Sequence, residues 1–167
     1  MIFSFIKRLF AFLLLILVQG FFLNQVNVMG YATPMISIFS LLVFQRGSSR
    51  FSLLLWGFFL GLAMDLFTNT PGVGAASCTL LGMIQPLLLE MFLPRDCAED
   101  LSPSIKELGL AKFCGYLLLS TFIFYGAYYL LLAFSLAHLE SLAINIVGGT
   151  LFSFVLMLGL NSLYHRS

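Results

Sequence analysis

Charge is what this chain has least of. Only 9% of its 167 residues are Asp, Glu, Lys or Arg, against 60% hydrophobic, and the mean hydropathy is +1.04. A soluble domain carries about a quarter charged residues. This composition cannot clothe a water-facing surface, so the chain is expected to be an integral membrane protein, a single domain over 1–167. Its net charge of +1 gives no electrostatic footprint for nucleic acid. Cysteine is scarce too. Cys78, Cys97 and Cys114 form no C-x-x-C pair and are expected to be structural. The two histidines, His138 and His165, are expected on opposite sides of the membrane, which removes a His-based metal centre. No cofactor or metal is expected.

Long apolar runs are what is present. A spanning helix needs about 20 mostly apolar residues. Six candidates occur, at about 5–23, 31–44, 51–67, 74–93, 108–134 and 139–163. The first follows Lys7 and Arg8 but lacks a small-x-small cleavage site, and is expected to be an uncleaved span rather than a signal peptide. The second is short, contains Pro34, and is nearer in length to a re-entrant segment. The basic residues argue for six crossings. Lys7, Arg8, Arg46, Arg50, Arg95, Lys106, Lys112 and Arg166 then all fall on the cytoplasmic side. The expected fold is an all-α six-transmembrane-helix bundle with both termini cytoplasmic. Loop 94–109 is also cytoplasmic, and its Asp96, Glu99 and Asp100 are expected to be solvated. Within it, Ser102 or Ser104 is placed to cap a short helix carrying Glu107. Tyr125, Tyr128 and Tyr129 are expected at the outer interface.

The polar exception is "GLAMDLFTNTPGVGAAS", residues 61–77. Asp65 lies about 21 Å along its span, at 1.5 Å per residue, in the outer part of the bilayer. The chain then turns through Asn69, Pro71, Gly72 and Gly74. Free N–H groups and the helix dipole at the start of the next span would stabilise a carboxylate there. Gly57, Gly61 and Asp65 recur every four residues and share a face. Gly57 and Gly61 allow close helix approach, so Asp65 should point into the bundle as a staple between two spans. Gln19 and Asn145 are its other candidate partners. Pro86, beside Gln85, is expected to kink the fourth span. Gly148 and Gly149, on a span with no buried charge, are expected to face outward as a candidate partner-binding position.

Enzyme chemistry is not expected. An intramembrane aspartyl protease needs two carboxylates, one to activate water and one to donate a proton. Only Asp65 lies in a span; Asp96 and Asp100 fall on the other side. Ser77 and His138 both fall near the outer face, without a rhomboid-like serine motif.

The order of features resembles a known family. Gln19 late in the first span is followed by Gly30 and Pro34, then by "GFFLGLAMDLFTNTPGVGAAS", with Gly57, Gly61, Asp65, Leu66, Gly72 and Gly74. The chain resembles the bacterial rod-shape-determining membrane protein family MreD over most of its length, most densely over 15–95. The downstream "PRDCAEDLSPSIKELGLAKF" resembles a short-form variant. Many members have Pro-Asp where this chain has Pro34-Met35. The resemblance implies a non-enzymatic scaffold of the cell-elongation machinery in the inner membrane. It would bind MreC and help couple MreB filaments to the peptidoglycan synthases RodA and penicillin-binding protein 2. It also implies a fold similar to the substrate-binding subunits of energy-coupling-factor vitamin transporters. Such a subunit is the alternative function.

The one-sided basic residues generate a test. A cysteine placed at Arg46 should resist an impermeant thiol reagent added outside intact cells. Labelling from outside would overturn the assignment of that loop to the cytoplasm.

Overall fold

The computed structural model describes residues 16–17, 35–93, 103–133 and 139–164. Those residues are helical or irregular, with no strand among them. Among the described residues four helices are long and apolar enough to cross a membrane; six were expected over the whole chain. Most of the first expected span lies outside the described residues, as do Lys7, Arg8, Gln19, Gly30, Pro34, Arg95, the acidic residues of 96–100 with Cys97, His138, His165 and Arg166.

The second expected span, as far as it is described, is not a spanning helix. It is a 3-10 turn, Ile36–Ile38, running into the four-residue helix α1, Phe39–Leu42. Four residues rise only about 6 Å. Local chemistry explains the irregularity. The Ser40 hydroxyl donates to the carbonyl of Ser37 at 2.6 Å, a side-chain bond that competes with a regular helical ladder. Polar residues 45–49 then end the apolar run. We call residues 35–42 the insert.

The spanning helices are α2, Arg50–Thr68; α3, Val73–Phe92; α5, Leu110–Ala133; and α6, Leu139–Tyr164. The short α4, Ile105–Leu108, precedes α5, and Ser104 caps it by accepting from the Glu107 N–H at 3.3 Å. Ser49 caps α2 in the same way through Ser52. α2 packs on α3, α3 on α5, and α5 on α6. Arg50 and Lys112 begin α2 and α5, and the Asp65 turn closes the opposite end of α2.

α2 and α3 form an antiparallel hairpin with backbones in near contact. A Cβ on Gly57 would lie 2.7 Å from the Cys78 carbonyl oxygen. One on Gly61 would collide with the backbone of Gly74 and Ala75, and one on Gly82 would lie 2.9 Å from the Leu53 carbonyl oxygen. Positions 53, 57, 61 and 65 of α2 thus face 82, 78 and 74 of α3 on a shared four-residue spacing. In lipid no hydrophobic force pulls helices together, so this close van der Waals fit is the main attraction available. The opposite faces carry the lipid-facing side chains: Phe51, Phe59 and Leu66 on α2, and Met83, Leu87 and Met91 on α3.

α3 runs unbroken past Pro86, so the proline does not end the helix. Tyr125, Tyr128 and Tyr129 are buried inside the bundle. Their rings stack and cross, with Tyr125 and Tyr129 stacked at 6.0 Å and Phe124 over Tyr128 at 5.9 Å.

The hairpin fit sets an expectation for stability. Gly61→Leu or Gly82→Leu drives a side chain into the facing backbone, a mismatch of at least ~1–3 kcal/mol. Leu66→Ala, at a position 86% exposed, should change little. Thermal unfolding of the purified variants in detergent measures both. Equal midpoints for Gly61→Leu and Leu66→Ala would refute the close contact.

Candidate functional site: the Asp65 joint

Asp65 is a buried carboxylate. The chain around it reverses in four residues. Asn69 ends α2 in the left-handed conformation, φ 55°, and its N–H returns to the Asp65 carbonyl. Asn tolerates that conformation better than most residues. The Thr70 N–H reaches the same carbonyl at 3.3 Å. Pro71 occupies a turn position where its fixed φ costs nothing. Gly72, at φ 89°, takes a backbone state that a side chain would strain, and serves as the N-cap of α3.

A helix begins with backbone donors that have no intrahelical acceptor. Gly72 has no side chain to accept them, and the Asp65 carboxylate takes that role from the preceding helix. Oδ2 accepts from the N–H groups of Gly72 at 3.0 Å and Ala75 at 3.1 Å. Oδ1 accepts from the Gly74 N–H at 2.7 Å and the Thr70 hydroxyl at 3.2 Å. The Val73 N–H is taken by the Thr70 carbonyl at 3.3 Å. Every donor from the cap to the third residue of α3 is therefore paired. The negative group also lies at the positive end of the α3 dipole.

The glycines are part of the same joint. A Cβ on Gly74 would come within 2.6 Å of Asp65 Oδ1 and 3.0 Å of the Gly61 carbonyl oxygen. Gly74 must therefore be bare for the carboxylate to reach the helix end. Thr70 extends the joint outward. Its hydroxyl lies 2.7 Å from that of Thr68 and 3.4 Å from that of Tyr128 on α5.

Of the sequence-selected residues, Gly57, Gly61, Asp65, Asn69, Gly72 and Gly74 all lie in this hairpin, with Pro71 on its exposed turn. Asn145 is not among the donors to Asp65, and its own Oδ1 is buried without a partner. The outward-facing expectation for α6 is corrected at Gly149. That residue is buried, and a Cβ there would lie 2.7 Å from the Tyr125 ring, so its smallness serves internal packing. Gly148 is half-buried. Cys78 is fully buried, its thiol 3.8 Å from the Met64 sulfur, and Cys114 is half-buried and free.

Sequence reasoning missed a second polar cluster. The Met35 N–H, at the start of the insert, donates to the Tyr125 hydroxyl at 2.9 Å and to Ser153 Oγ at 3.1 Å. At the other end, the Tyr116 hydroxyl donates to the Leu42 carbonyl at 3.0 Å and accepts from Gln85 Nε2 at 3.0 Å. Gln85 and the mid-span tyrosines were the available signal, since polar groups buried in a span need partners.

The comparisons with known proteins add no relative: no family model matches the chain, and neither a curated protein nor a solved structure matches it.

The chemistry of the joint predicts a graded response. Asp65→Ala orphans three backbone donors, at ~1–3 kcal/mol for each that water does not reach. Asp65→Asn keeps one acceptor oxygen but turns an amide against the donors that met the other, so it should fall between wild type and Ala. Folded yield and thermal midpoint in detergent give the order. An Ala variant as stable as wild type would refute the capping role.

Proposed function

We propose that the chain is a non-enzymatic scaffold of the bacterial cell-elongation complex, similar in role to the MreD family. It would lie in the inner membrane with cytoplasmic termini. It would bind MreC through membrane-embedded contacts, and through it help couple MreB filaments to RodA and penicillin-binding protein 2.

One observation supports this reading above the others. Of the residues that carry the family resemblance, Gly57, Gly61, Asp65, Gly72 and Gly74 come together at a single joint, where the glycines bring two helices together and Asp65 ties them. All four bonds to the carboxylate hold the chain to itself. A side chain so engaged positions a surface rather than handles a substrate. The large exposed apolar surface of the four long helices leaves the bilayer as the medium in which such a chain meets its partners.

A second reading has its own observation. Irregular chain enclosed in a membrane bundle often lines a transporter site, and the insert is irregular and buried. That favours the alternative, a substrate-binding subunit of an energy-coupling-factor transporter.

Affinity purification in mild detergent separates the two. The scaffold reading expects MreC and the wall synthases to co-purify. Recovery of a transporter ATPase module instead would replace it with the alternative. Gly148→Leu, normalised to folded protein, tests the candidate contact on α6: reduced MreC recovery places the contact there, and full recovery moves it elsewhere.

A further inference from the structure

Every exposed residue of α3 lies on one stripe. Ala76, Leu80, Met83, Leu87, Glu90 and Met91 are exposed, and the rest of the helix is buried or half-buried. The first five are spaced four, three, four and three residues apart. Side chains at that spacing stay on one face and form the seam of a left-handed helix pair. Here the seam is open, with Met83 70% and Leu87 58% exposed. It runs from the Asp65 joint to the opposite end of the bundle, where Arg50 begins α2 and Lys112 lies in the first turn of α5.

Glu90 gives this face a sign. It is an exposed carboxylate in the last turn of α3, two residues before the helix ends at Phe92. The last carbonyls of a helix carry partial negative charge, so an acid there is repelled by its own helix. A basic side chain in the same turn is the usual compensation, and α3 has none. Leu93 is already extended, so the position four residues beyond Glu90 lies outside the helix and supplies no partner on its face. Among the described residues no cation pairs with Glu90.

We propose that this face docks a transmembrane helix of another protein, one that carries an Arg or Lys at its end on the Arg50 side of the membrane. That cation meets the Glu90 carboxylate and the last carbonyls of α3 together, which offsets both negative groups. The apolar part of the stripe, Ala76 to Leu87, supplies about 16 Å of contact along the axis. Ala76 lets the partner come close at the joint end, and Met83 adapts to its side chains. Once a helix covers the stripe, water withdraws from Glu90 and the ion pair strengthens. Any span with that charge pattern fits, whatever complex it belongs to, so the surface does not depend on the scaffold role proposed above.

Photocrosslinking of the full chain in its native membrane tests the face. Benzoylphenylalanine at Met83 should form an adduct that maps to one transmembrane helix with a basic residue at the matching end. Glu90→Arg, at an exposed position compatible with the fold, should cut that adduct roughly tenfold at equal folded protein. Changing the partner's basic residue to Glu should then restore it. The same probe at Phe59, on the lipid face of α2, should not capture that helix. Adducts with lipid alone, or with a second copy of this chain, overturn the proposal. So does a Met83 adduct that Glu90→Arg leaves unchanged, one that the reciprocal exchange does not restore, or equal capture from Phe59.

Discussion

A backbone N–H or C=O without a partner in hydrocarbon costs several kcal/mol, far more than any apolar misplacement there. The irregular parts of this chain are arranged around that constraint. The Asp65 joint meets it where α2 gives way to α3, and Tyr116, Tyr125 and Ser153 meet it at Leu42 and Met35 of the irregular insert. Both solutions bring a side-chain oxygen from one element to the exposed backbone of another. Each therefore closes a polar gap and fixes a tertiary contact with the same bonds.

The two differ in reach. Asp65 caps a helix that starts eight residues later, so the joint is complete within one hairpin. Its glycines follow from the same requirement. The carboxylate reaches Gly74 and Ala75 only because α2 and α3 nearly touch, and they nearly touch only because Gly57, Gly61 and Gly74 lack side chains. The hairpin is then a unit whose close approach and cap support each other. The insert has no such local closure. Met35 depends on residues 90 and 118 positions away, so its place is set only once α5 and α6 have assembled beside it.

That difference explains what was legible in the sequence. The joint was legible because its parts are neighbours: a four-residue glycine spacing, an aspartate on the same face, then a turn rich in residues that tolerate unusual backbone. The helix end capped by Ser104 belongs to the same local class. The insert was not. Residues 31–44 are apolar enough to count toward a span, and hydropathy does not distinguish a lipid-crossing helix from irregular chain wrapped in protein. The inward placement of Tyr125, Tyr128 and Tyr129 was hidden for a related reason. A tyrosine near a span end satisfies its hydroxyl equally well with interfacial water or with a buried partner, and only the fold decides between them.

Gly149 shows the same ambiguity in its sharpest form. Small residues mark close contact in membranes, but not whether the contact is with the protein's own helices or with another chain. Gly149 accommodates the Tyr125 ring, and the bulk of that ring is what carries its hydroxyl to Met35 and Ser153. The glycine on α6 and the tyrosine on α5 are thus one device, space on one helix matched to reach on the other. By packing alone, a partner helix finds room at small residues whose space is unfilled. Among the described residues, Gly126 on α5 and Gly159 on α6 have nothing within 4 Å of where a Cβ would stand, so those residues leave space for another helix there as they do not at Gly149.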